Sequence, residues 1–98
     1  MYDSKLQSPG MDALFCAVLS LESTEDCYRF FEDLCTIGEL QAMSQRYDVA
    51  RMLREGVTYT AIAEKTGAST ATISRVNRCL IYGAGGYRAA LDKTEGDG

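Results

Sequence analysis

The apolar positions of this 98-residue chain recur at steps of three and four almost throughout, the period of a helix buried along one side. Leu14, Phe15, Val18, Leu19 and Leu21 form the first such stripe, preceded by Ser8-Pro9. Proline suits a first helical position, where the N–H it lacks would have no partner anyway. Ser23, followed by Glu25 and Asp26, opens a second stripe of Cys27, Phe30, Phe31, Leu34 and Cys35. A serine hydroxyl there can accept from the first turn, with a carboxylate answering three residues on. Thr36-Ile37-Gly38-Glu39 repeats that logic ahead of a longer stripe, Leu40, Met43, Tyr47, Ala50 and Leu53. Gly56 is placed to stop this third helix after Arg54. Strand-like alternation is missing, so the pattern predicts an all-α fold of about six short helices.

Residues 57–80 carry the sharpest local signal, with helices expected at 58–65 and 69–80. Ala63 is small enough to let one helix cross closely over the next. Gly67 falls where the chain must leave the first helix with positive φ, a conformation that glycine adopts freely. Ser69 can then accept from the next turn and restart a helix. Ile73, Val76 and Leu80 share the inner face of that helix and would pack on Ile62 and Ala63. Its outer face carries Thr70, Ala71, Thr72, Ser74, Arg75 and Arg78, short hydrogen-bonding or cationic groups instead of an ordinary Glu/Lys mixture. A helix apolar behind and Thr/Ser/Arg in front suits the major groove of DNA, and the pair reads as a helix-turn-helix. A plain structural hairpin is the simpler alternative for an Ala-x-x-x-Gly turn taken alone.

Beyond the hairpin, the glycine-rich stretch Tyr82–Tyr87 follows a helix instead of a strand and lacks a downstream Lys-Ser/Thr, so it reads as a turn and not a phosphate cradle. A last helix is expected at 87–93, and residues 94–98 are expected to be disordered. The length fits one domain with a small core, 1–98, divided into dimerisation helices at about 11–56, the hairpin and the last helix.

Charge modifies the DNA reading without removing it. The net charge is −4, yet residues 1–40 hold eight acids and two bases, while 41–91 hold seven bases and three acids. Phosphate attraction is local, since charges beyond about 10 Å are largely screened at moderate salt. The basic segment contains the expected reading helix, among them Arg46, Arg75 and Arg78. The chain has no His, which removes the commonest general base and zinc ligand, and no paired carboxylates or activated nucleophile stand out. Catalysis, metal binding and a cofactor are not expected. Cys16, Cys27, Cys35 and Cys79 form no C-x-x-C pair and are expected to pack as small hydrophobes. No apolar run is long enough to span a membrane and no basic-then-apolar leader opens the chain, so a cytoplasmic protein is expected.

The helix opened by Thr-x-x-Glu, the long helix ending Met-Leu-Arg-Glu-Gly, and the run Thr-Gly-Ala-Ser-Thr-Ala-Thr-Ile-Ser-Arg together resemble the Trp repressor superfamily. Within it they look like the short bacterial Trp-repressor-related proteins of the YerC/YecD type. The likeness covers about residues 11–93 and is densest from Leu40 to Leu80. It implies an interlocked homodimer, with Leu14, Phe15, Val18, Phe30, Phe31 and Leu34 on the dimer-forming helices. It also implies a two-fold site on double-stranded DNA, the reading helices entering successive major grooves about 34 Å apart. Ser69, Thr70, Ala71, Thr72, Ser74, Arg75 and Arg78 then become the DNA-facing residues, with Arg46 near the backbone.

The departures concern the ligand. In the Trp repressor two arginines hold tryptophan. Arg75 matches the second, but the first falls on Gln45, with Arg46 one step and about 100° away around the helix. Val76 and Cys79 stand where the repressor has glycine and serine close to the ligand. Gln45, Arg75 and Cys79 mark a candidate ligand pocket, but tryptophan is not the expected co-regulator, and another small molecule or none is left open. The expected function is a dimeric DNA-binding transcriptional regulator, most simply a repressor. The alternative is a protein–protein interaction module built on the hairpin and the Phe-rich N-terminal helices.

Overall fold

A computed structural model describes residues 2–95. These residues form six helices and no strand: α1 Pro9–Leu19, α2 Thr24–Leu34, α3 Ile37–Arg54, α4 Tyr59–Thr66, α5 Thr70–Tyr82 and α6 Gly86–Thr94. The all-α expectation and the number of helices hold. None of these helices is long and apolar enough to cross a membrane. The chain divides into two compact units, one ending at Ile37 and the other beginning at Gly38.

The first unit contains α1 and α2. Ser8 caps α1 in extended backbone, its Oγ accepting from Met11 N–H at 3.0 Å with Pro9 at the first position. Ser23 caps α2 the same way, accepting from Asp26 N–H at 3.0 Å. The Asp26 carboxylate answers one residue further out than a capping box requires, accepting from Glu22 N–H at 3.0 Å. The expected first helix ran on towards Leu21. It stops at Leu19, with Ser20 as the C-cap and its hydroxyl donating to the Ala17 carbonyl at 2.6 Å. Neither helix buries a residue.

The second unit has a core of its own. Val49 and Ala50 from α3, Ile62 from α4, Ala68 in the following turn, Ile73 and Val76 from α5, and Leu91 from α6 are buried together. Tyr47, Met52, Leu53, Val57, Ala63, Leu80 and Tyr87 close around them. Fully burying one such aliphatic side chain stabilises by about 1.5–3 kcal/mol, enough collectively to order a three-helix unit against α3. Gly56 ends α3 as expected, in the left-handed region at φ 84°. Its N–H reaches the Leu53 carbonyl, and Val57 N–H reaches that of Met52, both at 3.0 Å. These paired bonds satisfy carbonyls that a helix end otherwise leaves open.

Some boundaries differ from expectation. α5 runs to Tyr82, two residues past the expected end of the hairpin at 80. The last helix is one residue longer at each end than 87–93, so Thr94, expected in a disordered tail, is helical, with Glu95 as its C-cap. The Thr94 hydroxyl donates to the Ala90 carbonyl at 2.8 Å and meets Tyr47 Oη at 3.3 Å, which holds the additional C-terminal residue. Residues 96–98 of the expected tail lie outside the described residues.

Candidate nucleic-acid interface

The hairpin is built by three capped ends in sequence. Thr58 starts α4, its Oγ1 accepting from Ala61 N–H at 3.3 Å. At the other end Gly67 adopts φ 74°, and its N–H returns to the Ala63 carbonyl at 2.9 Å. A side chain at this φ would meet its own carbonyl, so glycine is required for conformational reasons and not for space. Thr66 braces the corner, its hydroxyl donating to the Ile62 carbonyl at 2.7 Å and accepting from Ala68 N–H at 3.1 Å. Ser69 then opens α5, accepting from Thr72 N–H at 3.1 Å while its own hydroxyl donates to Thr72 Oγ1 at 3.1 Å.

These ends fix which face of α5 looks outward. Ile73 and Val76 are buried and Leu80 is partly buried against the core. At about 100° per residue, Ala71 and Arg78 fall within about 20° of each other on the opposite side. Thr70, Ala71, Arg75 and Arg78 are exposed, as is Ser69, whereas Thr72 and Ser74 are half-buried. Thr72 is thus engaged with the cap of its own helix, while Thr70 and Ala71 stand clear of it.

The charges sort by whether they are already paired. Asp48 accepts from Arg51 Nη2 at 2.6 Å, a hydrogen bond and charge that hold the Arg51 guanidinium above its ordinary pKa. Arg54 is paired with Asp92 on α6. Among the described residues Arg46, Arg75 and Arg78 enter no salt bridge, so their charge is available to an outside anion. Arg46 is half-buried on α3, while the other two are exposed.

The three residues of the candidate ligand pocket differ in their surroundings among the described residues. Gln45 is half-buried and spends its amide N–H on the Thr66 carbonyl at 3.0 Å. Cys79 borders an open, largely apolar hollow of 430 Å³ with Tyr47, the 83–86 turn, Tyr87 and Ala90, in which neither Gln45 nor Arg75 takes part. The six residues expected at a dimer interface are not buried in the single chain. Leu14, Val18, Phe30 and Phe31 are half-buried, the two Phe rings meeting edge-to-face at 5.4 Å, and Phe15 and Leu34 are exposed by 52% and 50%. The cysteines correct the packing expectation within one chain. Cys16, Cys27 and Cys79 are exposed and Cys35 is half-buried; α1 and α2, which carry Cys16 and Cys27 and end at Cys35, bury no residue in one chain, and Cys79 lies on α5 outside the buried core.

Sequence periodicity passed over three residues that matter here. Val49, Ala68 and Leu91 are buried but belong to none of the stripes read from the chain. The Gln45–Thr66 bond spans 21 residues and leaves no local trace.

With this arrangement in view, the likeness to known proteins is specific. The sequence profile of the Trp repressor protein family matches residues 9–95. The chain is 58% identical over 95 residues to the uncharacterized protein YerC of Bacillus subtilis strain 168, covering 97% of this chain and 91% of that one. A crystal structure from Staphylococcus aureus, described provisionally as a Trp repressor, superposes with a TM-score of 0.89 at 50% identity over 93% of this chain and 91% of that chain. A TrpR-like protein from Eubacterium eligens ATCC 27750 gives the same TM-score, 0.89, at 55% identity over 93% and 94%. This chain belongs to the Trp repressor family.

Proposed function

We propose that the protein is a sequence-specific DNA-binding transcriptional regulator, most simply a cytoplasmic repressor, which acts as a homodimer. One observation carries the reading. The outer face of α5 presents Thr70, Ala71, Arg75 and Arg78 to solvent, its two guanidiniums in no salt bridge among the described residues, while the inner face is anchored by Ile73 and Val76. In this assignment Thr70, Ala71 and Ser74 meet base edges or phosphates, Thr72 and Ser69 lie close to the backbone, and Arg75 and Arg78 supply guanine or phosphate contacts. Arg46 adds a backbone contact from α3.

Two subunits are required for two half-sites, and the faces of α1 and α2 are the surface we assign to their union. Leu14, Phe15, Val18, Phe30, Phe31 and Leu34 are apolar yet unburied in one chain, which a second copy would remedy. The solved relatives described as Trp-repressor-like support the same reading. Tryptophan is not part of this proposal, because Gln45 is committed to the Thr66 carbonyl and Arg75 is left without the second cation.

Selection from a pool of random duplex DNA at two salt concentrations tests the assignment. Enrichment of a two-fold motif at both concentrations is expected. Recovery of unselective binding that vanishes with salt would remove the sequence-reading claim. No binding at low salt would shift the reading to a protein-interaction module.

A further inference from the structure

Besides the apolar packing of Val49 and Ala50 on Ile62, Ile73 and Val76, a side-chain hydrogen bond from α3 reaches the corner of the helix-turn-helix. The C-terminal carbonyls of a helix have no partner within it, and Thr66 is the last residue of α4. Its carbonyl is taken by Gln45 Nε2 at 3.0 Å, from 21 residues upstream and partly shielded from water. The same nitrogen lies 4.0 Å from the point where a Cβ on Gly67 would stand, so the amide rests against the turn itself. Thr66 has its hydroxyl already occupied on both sides, by the Ile62 carbonyl and the Ala68 N–H. Gln45 therefore holds the corner from outside while Thr66 holds it from within.

Its place among the long-range ties is also distinctive. Tyr47 to Thr94 and Arg54 to Asp92 both run from α3 to α6. Gln45 to Thr66 runs from α3 to the corner that sets the start of α5. The first turn of α5 carries Thr70 and Ala71, so a small rotation at Gly67 displaces the outward-facing groups directly. A misplacement of a recognition group by an ångström is enough to lose its contacts.

We infer that Gln45 is a positioning residue for the reading helix: its amide clamps the end of α4 and so fixes the pose in which α5 meets DNA. This rests on the DNA-binding reading for its consequence, but the clamp itself can be measured without DNA. The chain thereby holds its reading head with its own amide.

The experiment compares the full chain with Gln45→Met, which keeps the volume and removes the donor, and Gln45→Lys, which restores an N–H donor, now cationic and one bond further out. Amide hydrogen exchange is followed at Gly67, Ala68 and Thr72, and site preference is measured as the ratio of binding to the selected motif over random duplex. With Gln45→Met, exchange at those three amides is expected to quicken about fivefold, the effect of one net hydrogen bond. The α6 amides should be unchanged. The site preference should fall by a similar factor, and Gln45→Lys should recover the protection. Unchanged exchange at the turn would overturn the clamp. Uniform loss across the second unit would overturn it too, since Gln45 would then be a general stabiliser. A loosened turn with undiminished site preference would overturn the positioning role. If the parent chain shows no site preference at all, the DNA reading falls while the exchange data still decide the clamp.

Discussion

The two units of this chain solve the problem of apolar surface in opposite ways. Every buried residue among those described lies in the second unit, from Val49 to Leu91. The first unit buries none, although its two helices carry Leu14, Phe15, Val18, Phe30, Phe31 and Leu34. Both have well-formed serine caps, so the difference is not one of helix-forming propensity. It lies in whether α3, α4, α5 and α6 can enclose one another, which the tight turn at Gly67 allows. The helix-turn-helix thus has a core of its own within the single chain, whereas α1 and α2 leave their apolar faces uncovered in it. In a small domain such uncovered faces make assembly part of folding.

The largest expected effect tests that contrast at the core. Ile73→Ala should destabilise by about 2–5 kcal/mol, read from urea melts, because the residue is fully buried between the hairpin helices. Leu19→Ala, at a site 84% exposed in one chain, should cost almost nothing. A comparable loss at Leu19 would mean that the first unit is covered as thoroughly as the second. Next comes Leu34→Asp. A carboxylate at this half-exposed position is harmless to a lone chain but would have to be buried in a dimer, at about 3 kcal/mol or more. The dimer's dissociation constant, measured by sedimentation, is then expected to rise at least about a hundredfold. If parent and variant both sediment as monomers, the first unit pairs with some other partner.

A third effect should appear in binding and leave folding alone. Arg75→Ala and Arg78→Ala remove exposed guanidiniums that enter no salt bridge among the described residues, so their melting curves should match the parent within about 0.5 kcal/mol. Affinity for the selected duplex should fall by about 1–3 kcal/mol wherever the residue reads a base. An arginine that only neutralises phosphate should instead weaken all sequences alike and flatten the salt dependence. Comparing the two substitutions therefore assigns a role to each. Equal binding by both variants and the parent would remove α5 as the reading helix.

The contrast between the units also explains what could be read in the sequence. Caps and turns are local, so Ser8, Ser23, Gly56, Ser69 and the left-handed Gly67 were legible, and with them the order of six helices. Ile73 and Val76 followed from period alone because α5 is amphipathic. Val49 and Leu91 did not, since each is buried by what approaches it from elsewhere. The cysteines mark the opposite failure. Cys16 and Cys27 lie in apolar patterns, but a pattern states only that a face should be covered, not that the same chain covers it. Charge was misleading until pairing was known: Arg51 and Arg54 count among the basic residues of the second half but are already matched by Asp48 and Asp92. Gln45 was singled out for a ligand by resemblance, while its bond to Thr66 depends on a separation of 21 residues that no local pattern encodes.

The smallest effect concerns the tie between α3 and α6. Arg54 and Asp92 have side chains 35% and 63% exposed, so water screens the pair, and Asp92→Ala should cost less than about 1 kcal/mol. Its more informative consequence is electrostatic. Removing Asp92 frees Arg54 and makes the second unit more basic, so unselective DNA binding at low salt should strengthen slightly and the gain should disappear at high salt. Preference for the selected motif should stay as it was, because Arg54 lies on α3 and not on the reading face of α5. A loss of stability as large as that of Ile73→Ala would instead show that α6 is held by this ion pair and not by Leu91, and the account of a self-sufficient second core would have to be withdrawn.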